Sequence, residues 1–236
     1  MRILLIGYGK MGKIIETLAL QRNHTVVGKV DPATGLSFDF NTPVDVAIEF
    51  TIPESAITNI RLCLDKKIPV LSGTTGWLSH KNELDDYCKL KQGTFFYASN
   101  FSLGVNLFFK LNEQLARMMQ GQRTYTVSIE EIHHTQKKDA PSGTAITLAD
   151  GILKHLKEKK QWVNHESKRA EELVIRSFRE DPAPGTHTVK YQSAIDDIEI
   201  KHTAHSREGF ALGAILVAEW LPGQNGVLGM DDFLKF

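Results

Sequence analysis

Residues 2–12 read RILLIGYGKMG, and this segment sets the class of fold. Its first half is a compact apolar run, as in a buried strand, and its second half carries glycines at GxGxxG spacing where a helix begins. Gly7 permits a tight turn, Gly9 lets the backbone approach a pyrophosphate, and the helix N-terminus offers N–H groups and the positive end of a dipole. The segment predicts a dinucleotide-binding βαβ unit whose glycine loop comprises six residues: Gly7, Tyr8, Gly9, Lys10, Met11 and Gly12.

An acidic residue stands where such a unit needs one. Asp31 follows a second β-branched run, residues 25–30, and a carboxylate there bonds the adenosine ribose. Further strands alternate with helices; we predict strands at 45–50, 69–71 and 94–98, and helices at 11–22, 53–67 and 79–91. This alternation predicts an α/β domain with a Rossmann-type, doubly wound parallel sheet.

Two loops at the carboxyl ends of these strands are candidate cofactor contacts, because a ligand lies across that edge of such a sheet. Their hydroxyl, amide and backbone groups suit a nicotinamide carboxamide and its ribose. They consist of Gly73, Thr74 and Thr75 after the fourth strand, and of Ala98, Ser99, Asn100 and Phe101 after the fifth.

The pattern changes in the second half of the chain. A long helix over 103–119 has apolar residues at helical spacing, which we predict to be core: Leu107, Phe108, Leu111, Leu115 and Met118. A strictly alternating strand starts at Thr124, and a helix over 143–157 and strands at 173–179, 188–193 and 197–204 follow. We expect an α+β domain with a mostly open sheet, its strands in chain order, covered by helices on one face.

A closing helix over 208–221 and the apolar tail 227–236 are expected to return to the first domain. The predicted domains are therefore 1–102 with about 208–236, which bind the dinucleotide, and about 103–207, which bind the substrate and form the oligomer.

The segment EIHHTQKKDAPSGTA, residues 131–145, is the second motif. Adjacent side chains on a strand point to opposite faces, so His133 and His134 have separate roles. A histidine with a lysine four residues later, Lys137, combines a group that titrates near neutrality with a cation that polarises a developing anion. Ser142, Gly143 and Thr144 then form a helix N-terminus, which suits a carboxylate.

Two simpler interpretations of the histidines stay open from the residues alone. A histidine pair is often an ordinary surface or core feature. His133, His134, His202 and His205 could also converge on a metal, although cysteine or acidic co-ligands are not evident. We therefore predict no metal site.

These motifs together resemble the 4-hydroxy-tetrahydrodipicolinate reductase, or dihydrodipicolinate reductase, family of lysine and diaminopimelate biosynthesis. The resemblance rests on EIHHTQKKDAPSGTA together with GYGKMG, SGTTGW and ASNFSLGVN, which stand in the family's order over nearly the whole chain. It implies NAD(P)H-dependent reduction of the dehydrated substrate ring to tetrahydrodipicolinate, a small dicarboxylate substrate, and a homotetramer.

The resemblance also implies roles for single residues. His133 is the proton donor and acceptor, Lys137 a proton donor, and His134 a substrate contact, while Gly143 and Thr144 hold a substrate carboxylate. The glycine loop, Asp31 and the two later loops line the cofactor. The glycine loop is one residue shorter than a longer family form, and Pro32 stands where some members have an arginine for the 2′-phosphate of NADP. Both NADH and NADPH therefore remain candidates.

Composition excludes other classes. The 236 residues carry 28 basic and 28 acidic side chains, whereas nucleic-acid and polybasic membrane binders need a basic surplus. No apolar run approaches the roughly 18 residues that cross a bilayer, so a cytoplasmic protein is expected. Two alternatives to the reductase remain: another two-domain nicotinamide-dependent dehydrogenase, and a non-catalytic NAD(P)-sensing protein.

Overall fold

A computed structural model describes residues 1–31, 38–206 and 208–236. Pro32, which bears on the choice between NADH and NADPH, lies outside these ranges. The chain divides into two compact units, Met1–Leu103 with Glu208–Phe236, and Gly104–Arg207. No helix within the described ranges has the length and apolar character needed to span a membrane.

The first unit contains a parallel sheet of six strands: β1 (Arg2–Ile6), β2 (Thr25–Val30), β3 (Val46–Glu49), β4 (Val70–Ser72), β5 (Thr94–Tyr97) and β11 (Gly226–Leu228). They lie in the order β11-β5-β4-β3-β1-β2. Its helices are α1 (Lys10–Gln21), α2 (Pro53–Asp65), α3 (Lys81–Leu90), α6 (Glu208–Trp220) and α7 (Met230–Leu234). The Rossmann-type prediction is confirmed.

Helices cover both faces of this sheet, which explains why β1 is apolar throughout. Ile3 and Leu5 belong to the cluster that contains residues of α1 and α6. Leu4 and Ile6 belong to the opposite cluster, with residues of α2 and α3. The sequence gives no periodic signal for β11, because it has only three residues and pairs with β5 far back in the chain.

The second unit has a mixed sheet of five strands in the order β10-β9-β6-β8-β7. Its strands are β6 (Thr126–His133), β7 (Gln161–Val163), β8 (Glu172–Arg179), β9 (Gly185–Gln192) and β10 (Asp197–Ala204), and its helices are α4 (Leu103–Met118), which starts at the boundary, and α5 (Gly143–His155). β6 pairs in parallel with β8 and antiparallel with β9.

The α+β architecture is confirmed, but the predicted chain order of the strands is wrong. A parallel partner for β6 needs a crossover connection, and the chain from α5 to β7 supplies it. β8 therefore lies on one side of β6, and the β9–β10 hairpin lies on the other. The three-residue strand β7 was not predicted.

The predicted core face of α4 is also partly wrong. Phe108 is buried, but Leu107, Leu111 and Met118 are 48%, 50% and 75% exposed. The buried face instead follows Val105, Phe108, Asn112 and Ala116. Its Asn112 side chain donates a hydrogen bond to the Leu148 carbonyl oxygen of α5 at 3.0 Å. The face that carries Asn112 and Ala116 therefore packs against the core, and the face that carries the two exposed leucines does not.

Gly213 in α6 tests the packing of the first unit. An added Cβ would lie 1.8 Å from the Phe101 carbonyl oxygen, so Gly213→Ala forces the backbone to shift, which typically costs about 1–3 kcal/mol. We expect a thermal midpoint several degrees lower in calorimetry. Gly209→Ala, on the same helix, brings its Cβ no closer than 3.7 Å to Ser102 Oγ and should match the parent. Equal midpoints for both variants would contradict this packing.

Candidate active site

The glycine loop has the geometry that a bound pyrophosphate requires. Gly7 has a φ of 95°, and a Cβ there would lie 1.9 Å from the Phe50 carbonyl oxygen, so only glycine fits this turn. At Gly9 an added Cβ would meet no atom of the described residues within 4 Å. The backbone at Gly9 is therefore open to a ligand, directly at the N-terminus of α1.

The charges around α1 favour an anion at that N-terminus. Gly9 is the N-cap residue of α1 and has no side chain to bond the N–H groups there, and the first turn of α1 contains no acidic residue. Lys10 is exposed beside it. Lys29, in contrast, is already paired: its Nζ lies 2.6 Å from Glu16 Oε1 and donates to Tyr8 Oη at 3.1 Å. The residues fit a dinucleotide phosphate, with Lys10 as the available cation of the two.

A buried carboxyl group organises the loop after β4. Glu49 is fully buried at the end of β3, and it accepts hydrogen bonds from Ser72 Oγ at 2.5 Å, Thr74 Oγ1 at 2.9 Å and the Thr51 backbone N–H at 3.1 Å. Thr74 is therefore held inside the protein, whereas Thr75 is exposed. The structure thus separates a supporting residue from an accessible one within the predicted Gly73–Thr75 loop.

The loop after β5 divides in the same manner. Ala98 and Phe101 are buried in the core cluster, and the Phe101 ring lies 5.7 Å from those of both Phe50 and Phe96. Ser99 is exposed and Asn100 is half-buried. Any cofactor contact of Ala98 and Phe101 would thus run through the backbone rather than the side chains.

In the second unit, strand alternation places His133, one of the two catalytic candidates, on the buried face of β6. Val127, Ile129, Glu131 and His133 are all buried on this face. His134 follows the strand and is half-buried. The predicted separation of the two histidines is thus present in the structure. The same alternation places a glutamate in the core, where it needs partners.

Glu131 finds those partners on three neighbouring elements. Both of its carboxyl oxygens accept from the Ser142 backbone N–H, at 3.0 and 3.1 Å, and Ser177 Oγ donates at 2.7 Å. His187 Nε2 lies 3.6 Å and Arg179 Nη2 3.7 Å from the carboxylate. Ser177 and His187 are the residues opposite Glu131 on β8 and β9. Burial opposes ionisation, but the nearby His187 and the hydrogen bonds from Ser142 and Ser177 outweigh it and lower the pKa of Glu131 to about 2.

His133 ends β6 beside this anion. Its Nδ1 lies 3.6 Å from Glu131 Oε2 and makes no hydrogen bond to any residue that the structure describes. Burial and the charge of His187 lower the pKa of His133 to about 4, against the opposing charge of Glu131. His133 is therefore a neutral imidazole near pH 7, able to accept a proton beside a fixed negative charge.

The loop after His133 carries the predicted lysine. Lys137 Nζ lies 2.8 Å from both carboxyl oxygens of Asp139, and its charge contributes to lowering the pKa of His133. Arg179 anchors the loop by donating to the carbonyl oxygens of Lys137 and Asp139, at 3.2 and 2.6 Å. The loop thus holds a cation close to His133.

The N-terminus of α5 forms the remaining part of the site. Ser142 Oγ caps the helix by accepting from the Ala145 N–H at 3.2 Å, and its own N–H is taken by Glu131. Gly143 is exposed, Thr144 is half-buried, and a Cβ at Gly143 would meet no described atom within 4 Å. Gly143 and Thr144 are therefore accessible to an anion, whereas the polar groups of Ser142 are used within the protein.

Glu131, His133 and His187 also offer one ligand atom each within 4.8 Å of one another, a set that could hold a metal ion. This set, found among the described residues, is not the metal site considered from the sequence, which would have joined His133 to His134, His202 and His205. The hydrogen bonds from Ser142 and Ser177 already account for the position of the Glu131 carboxylate. His202 instead stacks on Phe108, with ring centroids 6.0 Å apart.

A Rossmann-type unit with an open glycine loop, and a second sheet unit bearing a buried histidine beside a lysine loop, define a two-domain dinucleotide-dependent oxidoreductase. Comparison with known proteins identifies the particular family. Residues 1–101 match the family model described as dihydrodipicolinate reductase, N-terminus, and residues 104–234 match dihydrodipicolinate reductase, C-terminus. The chain belongs to the dihydrodipicolinate reductase family, whose members reduce 4-hydroxy-tetrahydrodipicolinate with NAD(P)H in lysine and diaminopimelate biosynthesis.

Individual relatives agree with this assignment. The chain is 51% identical to the 4-hydroxy-tetrahydrodipicolinate reductase of Christiangramia forsetii over 236 residues, which are 100% of this chain and 98% of the relative. It is 32% identical to the enzyme of that name from Clostridium tetani over 250 residues, 99% of this chain and 97% of the relative. Its fold matches a dipicolinate-bound dihydrodipicolinate reductase from Paenisporosarcina sp. TG-14, with a TM-score of 0.79, 20% identity and 98% of each chain covered.

Two residues of the site, Glu131 and His187, were not assigned any role from sequence. The alternation of Val127 and Ile129 already places Glu131 on the buried face of β6, and a buried glutamate needs partners. For His187 the local signal is weaker, because the predicted strand began one residue later, at Thr188. Only the pairing of β9 with β6 brings His187 opposite Glu131.

The low pKa of His133 predicts how stability depends on pH. An unfolded histidine takes up a proton near pH 6.5, whereas folded His133 does so near pH 4. Its contribution to stability is therefore present above pH 6.5 and is lost as the pH falls toward 4. In urea unfolding, the parent should lose more free energy of unfolding between pH 7 and pH 5 than His133→Gln, by on the order of 1 kcal/mol. Equal losses would show that His133 is not held neutral.

Proposed function

We propose that His133 is the proton donor and acceptor of the reductase reaction and that Lys137 is a second proton donor. The observation that carries this proposal is the position of the buried His133, whose Nδ1 lies 3.6 Å from the Glu131 carboxylate and which is followed in the chain by the loop that holds Lys137. An imidazole beside an anion can take up a proton on one nitrogen and then pass it on. Because the pKa of His133 is lowered to about 4, its protonated form is a stronger acid than an ordinary imidazolium and gives the proton up readily.

The overall reaction consumes 4-hydroxy-tetrahydrodipicolinate, NAD(P)H and one proton, and yields tetrahydrodipicolinate, NAD(P)⁺ and water. A bound reduced nicotinamide supplies the hydride. Addition of a hydride to a conjugated imine puts electron density on an adjacent ring carbon, which must then be protonated. We assign that step to His133, which first takes up the one proton that the overall reaction consumes and then donates it to the ring carbon, while Lys137 stabilises the developing negative charge or donates in turn.

A dicarboxylate substrate fits the second unit. Gly143 and Thr144 are accessible at the start of α5, where N–H groups and the helix dipole favour a carboxylate. His134, half-buried beyond the end of β6, is proposed as a further substrate contact. Ser142 supports the proposed carboxylate site by capping α5. The solved relative from Paenisporosarcina is described as dipicolinate-bound, and we expect diacids of that type to inhibit competitively.

The cofactor is proposed to lie along the first unit. Its pyrophosphate would contact the backbone of Gly7 to Gly12 at the N-terminus of α1, and its adenosine ribose would contact Asp31. Gly73, Thr75, Ser99 and Asn100 would contact the nicotinamide half, together with the backbone of Thr74, Ala98 and Phe101. We further propose a homotetramer, as the family resemblance implies, which analytical ultracentrifugation of the purified protein would test, and a cytoplasmic location.

Substitution of the two proposed proton carriers tests the reaction. His133→Gln and Lys137→Ala should each lower turnover by about a hundredfold to ten-thousandfold, as loss of a general acid does. Binding of NADH, followed by its fluorescence, should be retained. Turnover is measured as NADH or NADPH oxidation with enzymatically generated substrate.

Lys154→Ala is the matched control, because Lys154 is 65% exposed in the last turn of α5 and should leave turnover unchanged. Parental turnover in both His133→Gln and Lys137→Ala would remove the assignment. An absence of substrate-dependent oxidation in the parent itself would favour the NAD(P)-sensing alternative.

Gly9→Ala tests the cofactor site separately. Since an added Cβ meets no described atom within 4 Å, the thermal midpoint of the cofactor-free protein should stay at the parent's value. The methyl group would occupy the approach of a pyrophosphate, so the dissociation constant of NADH should rise by about tenfold or more. Gly209→Ala serves as the control for both measurements. Unchanged NADH affinity would place the pyrophosphate elsewhere.

A further inference from the structure

The buried cluster around Glu131 contains more than the proposed reaction uses. Glu131 is 0% and His187 4% exposed, and neither belongs to the residues assigned to substrate, cofactor or proton donation. Burying a carboxylate is costly unless it is bonded. The protein nevertheless keeps one directly beside its proposed proton carrier.

The position of Glu131 favours one of the two neutral forms of His133 over the other. The Glu131 carboxylate faces Nδ1 at 3.6 Å. With the proton on Nδ1, the positive end of an N–H dipole lies near the anion, whereas with the proton on Nε2 a nitrogen lone pair lies near it. The first arrangement is electrostatically favoured, and it leaves the lone pair on Nε2 as the acceptor.

The Glu131 carboxylate also positions the start of α5, where we propose that a substrate carboxylate binds. Both of its oxygens accept from the Ser142 N–H at the start of α5, and Ser142 Oγ lies 3.1 Å from His187 Nε2. The His187 ring packs edge-on against the His133 ring, with centroids 5.0 Å apart. One buried group thus joins the proton carrier on β6, its neighbour on β9 and the substrate-binding end of α5.

We propose that Glu131 is a positioning residue for proton transfer: it holds His133 with the proton on Nδ1 and stabilises the imidazolium that forms when Nε2 takes up a second proton. His187 contacts Ser142 Oγ on one side and the His133 ring on the other, and so helps to hold Glu131 and His133 in their relative positions. This inference rests on the proposed role of His133 and adds the group that makes that role efficient.

Glu131→Gln is the main test. Glutamine keeps the size of the side chain and an oxygen that can accept from Ser142, but it removes the negative charge. We expect kcat to fall by about a hundredfold, with the affinities for NADH and for pyridine-2,6-dicarboxylate within about threefold of the parent. The solvent isotope effect on kcat should increase, because proton transfer becomes slower relative to the other steps.

A merely structural role predicts a different result. If Glu131 only held α5 in place, Glu131→Gln would weaken dicarboxylate binding and lower the thermal midpoint, while kcat at saturation and its isotope effect stayed at the parental values. That result overturns the proposal, and so does parental behaviour in every measurement. Glu131→Asp keeps the charge and should recover part of the lost kcat.

The controls separate this inference from the proposed function. Glu130→Gln changes the neighbouring residue on the opposite face of β6, where its side chain is 46% exposed, and should have parental kinetics. A low kcat in His133→Gln with a parental kcat in Glu131→Gln contradicts this inference alone. A parental kcat in His133→Gln contradicts the proposed function itself. If Glu131→Gln does not fold, Ser177→Ala removes one hydrogen bond from Glu131, and a lowered kcat with a larger isotope effect then supports the proposal, whereas parental values overturn it.

Discussion

The hydrogen bonds between the buried Glu131 carboxylate and the Ser142 backbone N–H are the interaction on which the candidate site depends. They join the end of β6 to the start of α5, so that one group lies beside the proposed proton carrier His133 and also holds the helix end that carries the accessible Gly143 and Thr144. Burying an ionised carboxylate in this core costs free energy unless hydrogen bonds or charges stabilise it. The flanking His187, the N–H of Ser142 and the hydroxyl of Ser177 offset that cost and keep it ionised.

The first unit also contains a buried carboxyl group that is hydrogen-bonded to a neighbouring loop. Glu49 is fully buried at the carboxyl end of β3 and accepts hydrogen bonds from Ser72, Thr74 and Thr51, so it sets the loops at the edge of the sheet where a dinucleotide lies in such folds. In each unit a core carboxyl group fixes the shape of a loop, and the exposed neighbours of that loop remain available for ligand contacts. Rigid support below and accessible backbone above is what a precise binding site requires.

The sequence predicted those features whose cause is local. The glycines at positions 7, 9 and 12, the apolar run of β1 and the helix cap at Ser142 each express a requirement of the few residues around them, so the βαβ unit and the α5 N-terminus could be inferred. The order of strands in the second sheet, the strand β11 and the pairing of Glu131 with His187 depend on contacts between distant segments. The predicted buried face of α4 was wrong for a related reason: the side chain of Asn112 has a hydrogen-bond partner on α5 that no local pattern reveals.

Histidine-selective ¹⁵N NMR of the parent at pH 7 tests the central claim most directly, with His133→Gln used to assign the resonance. The arrangement around Glu131 predicts that His133 is neutral, carries its proton on Nδ1 and has an unprotonated Nε2. An imidazolium at this pH, or a neutral ring with its proton on Nε2, would contradict the claim that the buried carboxylate sets the state of the proton carrier.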